Sequence, residues 1–374
     1  MQKITFVGDI MCEMQQNKVA FDEENNTYCY EDCFPEIKSL LKKSDYIVGN
    51  LETPIAGEKL GFTNHIWSFN TPDAFLVALK KCGFNLVSTA NNHCLDRGIE
   101  GLKNTIQALD NVKIAHTGTY ATKEEKQTLC IKEIDGIRLG FLSYTYGTNA
   151  AFNKQYLQKN NQYMVNLFAN QEQEIKRYQL WRRLKRKLDK KSHLSYLKYD
   201  VQAMKENNVD FIILCMHSGG QHNAKPDVYT KFLMEQAKNM GVDIVIGCHP
   251  HVVHNYEITK NFIGAYSLGN FFCTPGTSSS PIDVLSDYSI LLHFYIEKKD
   301  KKAEIKKVTF SIAKTVIDEF KSSKVVLLCD YIKKLENDKK CKILKEDYQK
   351  IYNIFCDKEE KNVTIQEEHE IKIY

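Results

Sequence analysis

Gly241-Val-Asp-Ile-Val-Ile-Gly-Cys-His-Pro-His-Val252 is the stretch that decides the fold. Val242–Ile246 is a short β-branched run, too short for a helix and suited to a strand buried on both faces. It ends on polar, metal-competent side chains, His249 and His251. In open α/β sheets ligands sit outside the carboxyl ends of the strands. Residues two apart in an extended segment point to the same side. The two imidazoles are therefore expected to face neighbouring ions, with Pro250 stiffening the segment.

Working outward, the same pattern recurs. Lys3–Val7 ends at Gly8-Asp9, and Tyr46–Val48 at Gly49-Asn50-Leu51-Glu52. Phe84–Thr89 ends at Ala90-Asn91-Asn92-His93, Val209–Met216 at His217, and Phe262–Ser267 at Gly269-Asn270. Arg138–Tyr144 is a further strand. Helices are expected at Pro35–Lys43, over 74–82, near Gly98–Leu109 and at Asp227–Met240. Thr71 is expected to cap the second of these, with Pro72 in its first turn, and Gly241 to close the last. The tail offers strands at Tyr288–Glu297 and Glu304–Ile312, then a Lys-rich helical stretch, Lys324–Cys356.

Taken singly, each polar strand end has an ordinary reading. Gly8-Asp9 reads as a turn, because Asp bonds its own backbone there. Asn91-Asn92-His93 reads as an amide-rich turn, Glu52 as a solvated carboxylate, His217-Ser-Gly-Gly as a flexible loop. Asp96 serves equally as a helix cap or as a carboxylate that orients His93. Asn270 after Gly269 has a turn reading too. The joint occurrence of carboxylate, amide and imidazole after apolar strands is what points to a divalent cation site. Such donors suit Mn, Fe, Zn or Mg, singly or as a pair sharing one carboxylate.

These residues resemble the poly-gamma-glutamate capsule synthesis (CapA-type) family, within the calcineurin-like metallophosphatase superfamily. The matching segments are Phe6-Val-Gly-Asp-Ile-Met11, Asn50-Leu-Glu52, Ala90-Asn-Asn-His-Cys-Leu-Asp-Arg-Gly98, His217-Ser-Gly219, the 241–252 stretch and Tyr266-Ser-Leu-Gly-Asn-Phe271, spread over residues 4–271. The resemblance implies a metallophosphatase-like αββα four-layer sandwich over residues 1–297; the resemblance leaves out a stretch at about 151–200, which is expected to be a helical basic insert. The Lys-rich C-terminal extension, 298–374, is expected to pack on the same domain. It implies Asp9, Asn92, His217, His249 and His251 as metal ligands and His93 as the acid or transition-state stabiliser, with Asp96 beside it. Superfamily alignment places Asn50 at the bridging position. Asn is neutral, so Glu52 is expected to supply the bridging carboxylate. Asn50, His222 and Asn270 are then candidates for substrate contact. The departures are Met11, where phosphatases commonly have His; Ser218, Gln221 and His222 in place of an aromatic and a carboxylate; and Cys248 before His-Pro-His.

Composition sets the frame. The 374 residues are 43% hydrophobic and 26% charged, as in a soluble globular protein. The longest uninterrupted apolar run, Phe211–Met216, is far short of the roughly 20 residues a membrane span needs. Neither a signal peptide nor a transmembrane segment is expected, and the expected location is cytoplasmic or membrane-peripheral. The twelve scattered cysteines read as free thiols of a reducing compartment. The formal net charge of +4 is local: between Ala151 and Asp200 it is +8, and the remainder is −4. Gln171–Leu197 is expected to form one basic helix carrying Leu180, Trp181, Leu184 and Leu188. Its basic face suits an anionic polymer, a phosphorylated substrate or an anionic membrane surface. No nucleic-acid reading module is present. Two functions follow. One is a metal-dependent hydrolase or transferase acting on a phosphoester or gamma-glutamyl bond in capsular polymer biosynthesis. The other is a non-catalytic capsule-assembly or polymer-binding module on the same fold.

Overall fold

The computed structural model describes residues 1–65, 67–168, 194–300, 302–335 and 339–373. Its strands, in chain order, are β1 Gln2–Ile10, β2 Phe21–Asp22, β3 Thr27–Tyr28, β4 Tyr46–Leu51, β5 Leu86–Ser88, β6 Ala115–Thr117, β7 Cys130–Ile134, β8 Ile137–Thr145, β9 Phe211–His217, β10 Ile244–Cys248, β11 Tyr256–Thr259, β12 Phe262–Ala265, β13 Asn270–Phe272, β14 Tyr288–Lys299, β15 Lys302–Ile317, β16 Ser323–Leu327 and β17 His369–Ile371.

Two mixed sheets carry the fold. The larger runs β16-β15-β14-β1-β4-β5-β6, with β13 parallel to β1 and β17 antiparallel to β15. The smaller runs β11-β12-β10-β9-β8-β7. The central strands β1, β4, β5, β6 and β8, β9, β10, β12 pair in parallel. Parallel strands are covered on both faces, which is why these segments read as continuous apolar runs.

The alternation along β4 shows the layers. Tyr46 stacks on Phe141 of the other sheet, with ring centroids 5.9 Å apart. Ile47 points the opposite way, to the end of helix Ala74–Cys82 at Gly83. Beyond the smaller sheet, helix Val228–Met240 and the helix 194–206 bury Leu233, Met234, Leu197 and Val201 against Leu142, Tyr144, Leu214 and Met216. The order is therefore helix, sheet, sheet, helix. Asp227 caps Val228–Met240 by accepting from Thr230 N at 2.7 Å, a contact of about 1 kcal/mol, and Gly241 ends it at φ 88°.

Several local expectations give way to stronger interactions. Thr71 does not cap: its hydroxyl pairs with Thr53 Oγ1 at 2.8 Å, and helix Ala74–Cys82 begins after Asp73 without a side-chain cap. Lys324–Leu327 lies in β16, because Val325 and Leu327 bury their side chains beside β15; the helical stretch starts only at Leu328. Short strands β6, β13 and β17 borrow their pairing partners and had no length of their own to announce them, whereas β5 is the core of the expected strand Phe84–Thr89. The chain end is tied back through Glu368, which accepts from Tyr295 Oη at 2.8 Å and Thr309 Oγ1 at 2.6 Å and pairs with Lys3. All twelve cysteines are free, Cys29 and Cys33 included. No described helix is long and apolar enough to cross a membrane. Most of the expected basic helix Gln171–Leu197, Trp181 included, lies outside the described residues.

Candidate metal centre

The strand ends meet where the two sheets face each other. In the larger sheet, Asp9 is level with Asn50 on β4 and with Asn270 on β13, and Asn50 is level with Ser88 on β5. In the smaller sheet, His217 is level with Thr145 and Cys248. Gly8-Asp9 is not a turn: β1 continues through it to Ile10 with a shift in register. Such irregularities re-aim side chains. Gly8 is needed because a Cβ there would lie 1.9 Å from the Gly269 carbonyl oxygen.

Two groups of donors result, Asp9–Glu52–His251 and Glu52–His217–His249, each with ligand atoms within 4.8 Å of one another. Glu52 belongs to both. Its Oε1 is 3.4 Å from His217 Nε2 and 3.7 Å from His251 Nε2. Asp9 Oδ2 is 3.4 Å from His251 Nδ1. Asn92 Oδ1 lies 2.7 Å from His217 Nε2 and so sits at the same centre. The backbone around the imidazoles is strained rather than extended: φ is 98° at His249 and 58° at His251. The sharp bend, not strand alternation, sends one imidazole to each donor group, with ring centroids 5.7 Å apart. His249 N donates to Asp9 Oδ2 at 3.0 Å, which holds the bend.

The supporting amides sit beneath. Asn50 is buried, donates to Asp9 Oδ1 at 2.7 Å and accepts from Ser88 Oγ at 3.0 Å. Asn270 Oδ1 meets His251 Nδ1 at 2.9 Å, and its amide donates to the Ser286 carbonyl at 2.9 Å. Both therefore fix donor side chains. His222 is partly buried on the rim, its ring 5.9 Å from that of His251 and its Nε2 3.2 Å from the Ser279 carbonyl. His93 Nδ1 pairs with Asp96 Oδ2 at 2.7 Å. That same oxygen accepts from Phe69 N at 2.8 Å, so Asp96 orients His93; helix Gly98–Asn111 begins after Arg97 without a side-chain cap.

The electrostatics suit a cation. Burial pushes the Asp9 carboxyl up, but the hydrogen bond and charge of His251, with His217 and the Asn50 amide, outweigh it and hold Asp9 below the usual carboxylate range. Burial lowers His217 to about 3 and drives His249 down as well, so both imidazoles are neutral, the ligating form. Glu52 is the misfit: burial first, then the charge of Asp9, push it well above its ordinary value. Its two oxygens and His249 Nδ1 are buried without a hydrogen-bond partner. Buried polar atoms are rarely left so, and a carboxyl group shared between two clusters of imidazole and carboxylate donors fits a divalent cation. The donor set thus fits a metal at two adjoining positions.

Sequence reasoning missed three neighbours. Tyr146 follows β8 and lies against both imidazoles, 4.6 Å from the His249 ring and stacked at 6.4 Å on His217. Its signal was its place one residue beyond a strand end. Phe69 packs 4.3 Å from the His93 ring. Glu13, four residues past Asp9, is buried, and that burial raises its carboxyl to about 7. Neither of the last two had a signal in the pattern.

Residues 3–274 match the model of the family described as bacterial capsule synthesis protein PGA_cap. The capsule biosynthesis protein CapA of Bacillus anthracis is 25% identical over 293 residues, covering 77% of this chain and 63% of that protein. The PGA biosynthesis protein CapA of Bacillus subtilis is 25% identical over 289 residues, covering 76% and 67%. The chain thus spans about two thirds of the length of these relatives. Among solved structures, the calcineurin-like phosphoesterase YfkN of Bacillus subtilis aligns over 83% of this chain and 90% of that chain, with 16% identity and a TM-score of 0.43.

Proposed function

The chain belongs to the bacterial capsule synthesis protein PGA_cap family, and from that premise we propose that it is a metal-dependent hydrolase or transferase of capsular exopolymer biosynthesis, acting on a phosphoester or gamma-glutamyl bond. The observation that carries this reading is Glu52, a fully buried carboxylate with both oxygens unpartnered, shared by two donor groups.

Asp9, Glu52 and His251 would hold one divalent ion, and Glu52, His217 and His249 a second, with the Asn92 oxygen at the same place. Bound there, a divalent cation supplies a nucleophile near neutral pH and offsets charge that develops on a phosphoryl or acyl oxygen. The chain does the rest. Asn50 and Asn270 keep Asp9 and His251 aimed. Asp96 holds His93 Nδ1, and with the ring doubly protonated its Nε2–H would give a proton to, or hydrogen-bond, the leaving oxygen or nitrogen. Phe69 and Tyr146 wall the two sides and exclude water. An anionic polymer or phosphorylated substrate would meet this centre at the strand ends.

The test is metal analysis of purified protein together with turnover of a phosphodiester and of gamma-glutamyl oligomers. The expected result is bound transition metal and turnover that His93→Gln removes. Protein that binds metal but turns over neither substrate, with the His93 variant indistinguishable from wild type, would leave only the non-catalytic polymer-binding reading.

A further inference from the structure

Three rings on the His93 side of the centre are not used by the chemistry above. Trp67 and Phe152 are 52% and 45% exposed. Together with His65 they form a cluster with centroid separations of 5.6–6.1 Å. Large aromatic surface left in water at fixed geometry marks a ligand contact more often than a lone exposed ring does.

The cluster is built from two separate segments, and both are moored on the turn that carries His93. On one side, Phe69 packs on the His93 ring, Phe69 N donates to Asp96, and the Arg97 guanidinium donates to Ser68 Oγ and to the Gly61 carbonyl. On the other side, the segment after helix Ala150–Asn153 lies against Gly98, where an added Cβ would meet Gln155 Oε1 at 3.1 Å. Within that first segment, the Trp67 amide donates to His65 Nδ1 at 3.2 Å. Both segments of the platform are therefore joined through near neighbours to the turn that carries His93.

Its chemistry selects among ligands. The nearby guanidinium of Arg97 is occupied by Ser68, Gly61 and the Asp96 carbonyl, so the surface offered is ring carbon. Trp67 and Phe152 meet at 78°, which makes a floor and a wall. A nucleobase is best gripped between parallel faces. A pyranose ring carries C–H groups on both its face and its edge and fills such a corner. We propose that His65, Trp67 and Phe152 form a saccharide subsite that seats a neutral pyranose unit of the substrate beside His93 at the rim of the Asp9–Glu52 centre. This rests on the proposed hydrolase or transferase reading and names the substrate class of that same site.

The chain has two tryptophans, Trp67 and Trp181. In a Trp181→Phe background, the fluorescence of Trp67 alone reports on the platform. EDTA-treated protein would be titrated with chitotriose, cellotriose and maltotriose, and separately with tri-gamma-glutamate and AMP. The expected result is a saturable change with at least one neutral trisaccharide, weakened at least tenfold by Phe152→Ala and by His65→Ala. Circular dichroism and unchanged metal uptake would show that the variants fold. No response to any of the three sugars overturns the proposal. So does a response to tri-gamma-glutamate or AMP alone, or a sugar response that Phe152→Ala leaves intact. Because the titration needs no metal, failure of the metal-centre reading would appear in metal analysis and not here.

Discussion

Replacing Glu52 by Gln should produce two stability changes of opposite sign. Without a cation, the fold buries the Glu52 carboxyl with neither oxygen in a hydrogen bond of good geometry and with the Asp9 carboxyl against it. Gln keeps the shape, removes the charge and adds a donor that can reach toward Asp9. An unsatisfied buried polar group costs about 1–3 kcal/mol, so cation-free E52Q should be more stable than wild type by about that amount at pH 8. With free cation at 100 times its dissociation constant, wild type gains about 2.7 kcal/mol and E52Q gains nothing. At about 2.1 cal/mol/K of unfolding entropy per residue, 374 residues give about 0.8 kcal/mol/K. The cation-free midpoint should therefore rise by about 1–4 °C, and the metal-induced rise of about 3–4 °C should vanish. The pH dependence has a definite sign. Glu52 is held well above its ordinary value of 4.5, so the unfolded chain ionises first. Cation-free wild type loses stability as pH rises above that value, until the folded carboxyl itself ionises. The gap between E52Q and wild type should widen over that range. Scanning calorimetry of EDTA-stripped protein at pH 5 and pH 8, with and without Mn(II), measures all of this. An E52Q protein that is less stable without metal and still shows the metal shift would refute the reasoning.

Three further outcomes are expected. Asn50→Ala, which removes the amide that aims Asp9, should weaken Mn(II) binding by about 10–100-fold in calorimetric titration while leaving the fold intact. His93→Gln should lower kcat for bis-p-nitrophenyl phosphate by about 10²–10⁴-fold with metal content unchanged, and Asp96→Asn should lower it less, with a shifted pH profile. Away from the centre, burial and then the charge of Lys3 lower His293 to about 3, against 6.5 when unfolded. Its contribution to stability is present above pH 6.5 and is lost as pH falls from there toward 3. His293→Gln should therefore flatten the urea-measured slope between pH 6 and pH 4 by about 1.4 kcal/mol per pH unit.

Much of the centre was legible because parallel strands, covered on both faces, turn a polar residue at their ends into an anomaly. Asp9, Glu52, Asn92, His217, His249 and His251 stand out for that reason, and the structure brings them together. The preference for Glu52 over Asn50 as the shared carboxylate came from charge alone; the geometry places Glu52 between the donors and Asn50 under Asp9. Other features depend on partners distant in sequence. His-Pro-His reads as extended, but Asp9 accepts from His249 N and holds a left-handed bend. Thr71 has the chemistry of a cap and finds Thr53 instead. Phe69 meets His93 only through the tertiary fold. Lys324–Leu327 reads as helix from its lysines, whereas its alternate valine and leucine side chains are buried in a sheet.

A crystal structure of Mn(II)-soaked protein, with anomalous data at the manganese edge, tests the central claim most directly. The account requires peaks among Asp9, Glu52 and His251 and among Glu52, His217 and His249, with the Glu52 carboxylate spanning the two. Crystals in which manganese is absent from these five donor residues, or bound elsewhere with Glu52 untouched, would contradict it.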